Sequence, residues 1–375
     1  MNVSEGVLKG NEKAIYRLRE LYQKHGYNLY KVSKFEEYDL YAHNKNFLVS
    51  QNVLTFTDTN GKLLALKPDV TLSIIKNIVD QKGITYKLCY NETVYRTPAE
   101  SEGFREIMQT GLECIGDVDE YSEGEVIMLA IKSLESISED YVLDLSHRGI
   151  VDGLLDQTKW NATDRMEFMR LLESKNIHAI CTLCDRNGTE PSLKEKLCKI
   201  TDLYAPITSA LSVLEIIAVG EKMRKAIENL KEICEILSAY GLEKKLYLDF
   251  SVVSDDEYYD GISFKGFING IPESVLSGGR YDRLMYRLGK KCGAIGFAVY
   301  LDRLERFEGN ISEYDVDAVL LYGEDVNMTD LLYAQEKLSN EFDRVITAKG
   351  IDPGLRFRKL FKLTKGGIER LETND

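Results

Sequence analysis

The stretch VYRTPAESEGFREIMQTGLECIG, residues 94–116, decides how this chain is read. From residue 104 onward it alternates: Ile107, Gln109, Gly111, Glu113 and Ile115 fall on one face, and Met108, Thr110, Leu112 and Cys114 on the other. A period of two is that of a β-strand. The run before it, YKLCYNETVYR (86–96), is also strand-like, and the connecting TPAESEG holds Pro98 and Gly103. Antiparallel pairing of the two is therefore expected. A Gln and a Glu on either side of a Gly suit a ligand cleft, because glycine leaves room while the amide and carboxylate recognise polar groups. Arg96 would lie near that face, and its planar fork suits phosphate or carboxylate. Spacing alone fits a solvated sheet face with a surface ion pair equally well.

Working outward, VLTFTDT (53–59) and KLLALKP (62–68) flank Asn60-Gly61, a strong hairpin signal. A helix is expected near 69–81. Ser122 with Glu125 forms a capping box for a helix carrying Val126, Ala130, Ile131 and Leu134, and YVLDL (141–145) reads as a strand. Residues from about 155 to 242 read as a helical insert, with a second capping box at Ser192 and Glu195 and one long run over 207–240 that Gly241 ends. Strands return in KLYLDFSVV (245–253), GISFKGFI (261–268) and PESVLSGG (272–279), with a second Asn-Gly at 269–270. AIGFAVYLDRLERF (294–307) reads as a strand passing into a helix, and the tail as one strand–helix–strand unit. The expected fold class is α+β: an antiparallel sheet flanked by helices over 1–312, and a small α/β unit over 313–375.

Composition narrows the function. The 375 residues carry 48 Lys and Arg against 61 Asp and Glu, a net charge of −13. That balance disfavours a protein held to nucleic acid by its phosphates. No run of about 18 apolar residues exists, so no membrane span is expected. MNVSEGVLKG is no signal peptide, and seven scattered cysteines read as reduced thiols of a cytoplasmic protein. His178, Cys181 and Cys184 form HxxCxxC, but Cys198 is the single nearby fourth candidate, so no metal is expected. Lys349, Arg356, Arg358, Lys359, Lys362 and Lys365 read as a solvated helix face, and His147 as a structural residue after a strand.

Five blocks then fall in a telling order: ALKPDVT (65–71), VYR…GLECIG (94–116), EYYDG (257–261), SGGRYD (277–282) and AIGFAVYLDRL (294–304). Together they resemble the catalytic core of class II histidyl-tRNA synthetases over roughly residues 10–307. A motif 1 proline has no match, since Ser33 stands near its place. The resemblance implies a usually dimeric fold with an antiparallel sheet. It puts the ATP-binding arginines on Arg96 and Arg303. It puts the histidine pocket on Asp69, Thr71, Gln109, Tyr258 and Tyr259, with Glu113 in the pocket wall.

Two departures matter. Where those synthetases have an Arg that stabilises charge at the reacting centre, this chain has Ser254, followed by Asp255 and Asp256. Removing one such preorganised group commonly costs about 100- to 1000-fold in rate. Arg280 stands as the candidate replacement. The tail after 312 is also shorter than an anticodon-binding domain. Both features resemble the regulatory subunits of ATP phosphoribosyltransferase. That family implies no catalysis by this chain, no cofactor and no tRNA. It implies a hetero-oligomer with a short-form catalytic subunit, self-dimerisation, and histidine as a ligand in feedback inhibition. An active histidine-activating enzyme is the alternative.

Overall fold

Tyr86–Arg96 and Arg105–Gly116 pair antiparallel along their full length, from Tyr86 opposite Ile115 to Arg96 opposite Arg105. This ladder anchors the computed structural model, which describes residues 10–44, 48, 52–97, 103–252, 258–307 and 314–374. By contacts the chain divides into two units, Ala14–Phe307 and a smaller one of Glu308–Asp375 with Met1–Lys13.

The larger unit contains β1 (Asn28–Leu29), β2 (Phe35–Glu37), β3 (Thr55–Thr57), β4 (Leu63–Leu66), β5 (Tyr86–Arg96) and β6 (Arg105–Gly116). After these come β7 (Tyr141–His147), β8 (Tyr204–Pro206), β9 (Leu246–Asp249), β10 (Ile262–Ile268), β11 (Leu276–Arg280) and β12 (Gly293–Tyr300). Nine of them form one sheet in the order β1-β5-β6-β12-β11-β10-β7-β9-β8. Its pairs are antiparallel except β1 with β5 and β7 with β9. A second sheet has the order β2-β4-β3.

One face of the large sheet, with Leu112, Cys114, Phe264 and Phe297, packs into the main core. Helix Glu120–Glu135 buries Val126, Ile127, Leu129, Ala130, Ile131 and Leu134 there. Full burial of each of these Val, Ile and Leu side chains contributes about 1.5–3 kcal/mol. The opposite face, with Ile107 and Ile115, joins a second core with Leu72, Ile74, Ile75 and Leu284, and around that core the polar residues gather.

Local signals were partly displaced. The Asn60-Gly61 hairpin forms, but as a longer loop in which the Asp58 carboxylate accepts from the N–H groups of Asn60 and Lys62 at 2.8 Å each. The helix after it runs Val70–Asn77. Asp119, not Ser122, caps helix Glu120–Glu135, accepting from Ser122 N at 2.9 Å; Glu125 instead pairs with Lys87 at 2.6 Å. Helix Pro191–Asp202 starts on proline with no side-chain cap, so the second capping box does not form either. The run 207–240 breaks into Ile207–Ile217 and Gly220–Ala239, where Gly220 takes φ +62°. Nor is the helical stretch purely helical, since β8 emerges from it to pair with β9.

In the smaller unit, β13 (Val316–Tyr322), β14 (Val345–Ala348), β15 (Phe357–Thr364) and β16 (Gly367–Thr373) form a sheet in the order β14-β13-β15-β16. Helix Met328–Ser339 buries Leu331, Ala334 and Leu338 with Ala318, Leu320 and Phe361. Of the basic stretch, Arg358, Lys359 and Lys362 therefore lie on β15 and Lys349, Arg356 and Lys365 on the connecting segments, none of them on a helix face. Arg356 is paired with Asp315 at 2.7 Å, and Lys359 lies 5.0 Å from the Phe342 ring centroid.

Candidate functional site

Asp69 caps helix Val70–Asn77, its Oδ1 accepting from Leu72 N at 2.9 Å. That fixes the first helical turn, from which Thr71 Oγ1 donates to Glu113 Oε1 at 2.7 Å. The second oxygen of Glu113 accepts from the Tyr281 hydroxyl at 2.5 Å. Glu113 of β6 lies opposite Gly296 of β12, and a Cβ on Gly296 would come 1.8 Å from Oε2. Gly279 of β11 likewise leaves space for Tyr259, whose ring a Cβ there would meet at 2.6 Å. Tyr258 and Tyr259 make an edge-to-face pair at 4.8 Å, and Tyr258 lies 5.9 Å from Tyr281. Glycines on two neighbouring strands thus give a floor low enough for a carboxyl group and a tyrosine cluster to sit above the sheet.

Burial sets the electrostatics. It pushes the Glu113 carboxyl up to about 8, outweighing the two hydroxyl donors that pull the other way. Asp69 is raised by burial too, with Arg96 and backbone N–H groups opposing. The phenols of Tyr90, Tyr258, Tyr259 and Tyr281 are raised well above their ordinary value by burial, so they stay protonated as donors.

Two arginines face the same space. Arg96 is buried, donates Nε to Pro68 O at 2.7 Å and approaches Asp69 at 3.7 Å. Arg303 donates to the carbonyl of Ser274, pairs with Glu273 at 3.0 Å, and lies 4.4 Å from the Tyr300 ring centroid. Gln109 is 3% exposed, and its Nε2 has no hydrogen-bond partner.

These groups enclose a cavity of about 330 Å³. Of the residues singled out in the sequence, Asp69, Thr71, Gln109, Glu113, Tyr258, Tyr259, Arg96 and Arg303 line it. Arg280 does not: its guanidinium pairs with Glu123 at 2.8 Å and Asp282 at 2.9 Å. On a strand, adjacent residues point to opposite faces, so Gly279 being on the cavity side turns Arg280 away from it. Ser254, Asp255 and Asp256 lie outside the described residues.

The cavity also recruits Tyr90, Tyr281, Lys265 and Ser277. Tyr90 faces Gly111 in the β5–β6 register, and a Cβ on Gly111 would come 2.7 Å from its hydroxyl. Pairing 86–96 with 104–116 residue by residue could have found it. Elsewhere, Cys181 and Cys198 bring their Sγ atoms within 3.2 Å, and no group of three or more His, Cys, Asp or Glu suited to a metal ion exists among the described residues. His147 caps helix Arg148–Leu155 with Nδ1, accepting from Gly149 N at 2.9 Å.

An antiparallel sheet with helices behind it, and a polar cavity on its open face between two arginines, defines the class II aminoacyl-tRNA synthetase type of core. Residues 3–304 match the family model described as histidyl-tRNA synthetase. An ATP phosphoribosyltransferase regulatory subunit from Alkaliphilus metalliredigens is 30% identical over 295 residues, covering 77% of this chain and 74% of that one. The crystal structure of an ATP phosphoribosyltransferase regulatory subunit/histidyl-tRNA synthetase from Bacillus halodurans superposes with a TM-score of 0.74 at 23% identity, covering 94% of this chain and 93% of that chain. A chain of the ATP phosphoribosyl transferase (HisG:HisZ) complex from Thermotoga maritima gives 0.61 at 16% identity, covering 80% of this chain and 98% of that chain. The chain belongs to the histidyl-tRNA synthetase family and, within it, to the ATP phosphoribosyltransferase regulatory subunits. No helix among the described residues is long and apolar enough to cross a membrane.

Proposed function

We propose that this chain regulates rather than catalyses. It assembles with a short-form ATP phosphoribosyltransferase catalytic subunit, is required for that subunit's activity, and takes part in histidine feedback on the first step of histidine biosynthesis. Condensation of ATP with phosphoribosyl pyrophosphate is carried out on the partner. The observation that carries this reading is membership of the regulatory-subunit family at 30% identity over three quarters of the chain. The Thermotoga maritima neighbour comes from an ATP phosphoribosyl transferase (HisG:HisZ) complex, which supports a hetero-oligomer here.

The cavity supports a sensing role. Asp69, Glu113 and the tyrosine hydroxyls offer acceptors and donors for an ammonium and an imidazole, already held by Thr71 and Tyr281. Histidine bound here acts on the partner through a coupling free energy, typically about 1–3 kcal/mol, and the partner's state changes histidine affinity by the same factor. The net charge of −13 and Ser254 in place of an arginine favour a chain that neither charges nor holds tRNA. Seven free thiols fit the reducing cytoplasm.

The test is to mix the purified chain with a short-form catalytic subunit. Co-elution, a rise in phosphoribosyl-ATP formation and its suppression by histidine are expected. Separate elution with an unchanged rate sinks the reading. The alternative, an active histidine-activating enzyme, draws on Arg96 and Arg303 lining one cavity. Histidine-dependent exchange between ATP and pyrophosphate would establish it.

A further inference from the structure

Lys265 lies on β10 and lines the cavity. Its cross-strand neighbours are Asp144 on β7 and Ser277 on β11. Directly opposed charges on one sheet face ordinarily pair, because their Cβ atoms lie only about 5 Å apart. Here they do not. Asp144 is 7% exposed and its Oδ1 has no partner. The cation in that neighbourhood that does pair is Lys175, 2.7 Å from Asp249.

Among the described residues, the Lys265 ammonium has no hydrogen bond and no ion pair. Of the other two cations of the cavity, Arg96 donates Nε to Pro68 O and lies 3.7 Å from Asp69, and Arg303 is held by Ser274 and Glu273. Gln109 adds a second donor without an acceptor, and at 3% exposure it is closed off from bulk water. Buried donors in folded proteins are almost always satisfied, so the open Gln109 amide, with the half-buried Lys265 ammonium in the same cavity, calls for a ligand that brings acceptors.

The sheet order sets the distance. β10 lies three strands from β6, which carries Glu113, or about 14 Å at the usual strand spacing. The cavity they both line has a volume of about 330 Å³.

We infer that Lys265, with Ser277 beside it, is the oxyanion-binding end of this cavity, taking the carboxylate of a small ligand whose positive groups lie toward Asp69 and Glu113. This rests on the reading of the cavity as a histidine site. Carboxylate and phosphate share the chemistry, so the test separates them.

The full chain and its Lys265→Met and Lys265→Arg variants are titrated calorimetrically with histidine, with histamine, which lacks the carboxylate, and with ATP. Thermal melts of each variant check folding. The parent is expected to bind histidine about tenfold tighter than histamine, the contribution of one charged hydrogen bond. Lys265→Met should remove that advantage and leave histamine unmoved, while Lys265→Arg keeps most of it. If Lys265→Met instead weakens ATP alone, the oxyanion subsite stands but serves a phosphate, and the carboxylate assignment is withdrawn. If the parent binds histidine and Lys265→Met changes neither ligand, the inference fails while the histidine site survives. If the parent binds none of the three, both fall.

Discussion

The Tyr281 hydroxyl donates to Glu113 Oε2 across 2.5 Å, tying the residue after β11 to the middle of β6, 168 positions away in sequence. Neither residue is exposed, and each constrains the other's protonation.

Glu113 makes stability depend on pH. Its carboxyl titrates near 8 in the native state against an ordinary 4.5. Between those values the native chain holds a proton that the unfolded chain has released, so stability falls as pH rises through the window and is fullest below it. Glu113→Gln should flatten the slope of unfolding free energy between about pH 5 and 8 by up to one proton, about 1.4 kcal/mol per pH unit. Urea midpoints across pH read this directly; a variant profile parallel to the parent's would refute it.

Tyr281→Phe removes one of the donors that favour the Glu113 carboxylate. The Glu113 titration should then move further up, extending the sloping window to higher pH. The carboxyl carbon resonance of Glu113, followed by NMR in both proteins, checks the direction, and a downward move contradicts the assignment.

His147 acts in the opposite sense. Burial and the nearby Arg280 push it down to about 4 from an ordinary 6.5. The unfolded chain therefore binds the extra proton first, and stability is lost as pH falls from about 6.5 toward 4. His147→Asn keeps an acceptor for the Gly149 N–H and should lessen acid sensitivity in that range. His147→Ala also loses the cap, costing about 1 kcal/mol at pH 8, where neither protein titrates at this site. Equal acid midpoints for all three proteins would dismiss the role.

Gly296→Ala should destabilise by about 1–3 kcal/mol and disturb the Glu113 titration, because its Cβ would also press on Leu112 O at 2.5 Å. Gly323 has open space around it, so Gly323→Ala should stay within about 0.5 kcal/mol of the parent. Guanidinium unfolding of the pair provides the comparison.

Strand parity explains what was legible in the sequence. Gln109 and Glu113 could be found because a local period of two assigns them a face, and the five blocks carried the fold. Lys265 could not. In GISFKGFI it reads as the outward residue of a hairpin strand, and only the placement of β10 three strands from β6 turns that outward face into a cavity wall. Arg280 shows the reverse failure, since a single step beyond Gly279 moved it to the other face. Caps went astray for a related reason: Ser122 fits the cap pattern, but Asp119 offers the same bond three residues earlier. The last hairpin escaped because its lysines masked the alternation of FRKLFKLT, although Lys365-Gly366-Gly367 marked its turn and Gly367 takes φ +112°.

The sheet order bears on synthesis as well. β6 is complete at Gly116, yet its neighbour β12 ends at Tyr300. At the usual 5–20 residues per second, translating the intervening segment takes about 10–40 s. Throughout that interval the nascent chain presents one unpaired edge of its longest hairpin, carrying the buried Leu112 and Cys114, to the crowded surface of the ribosome.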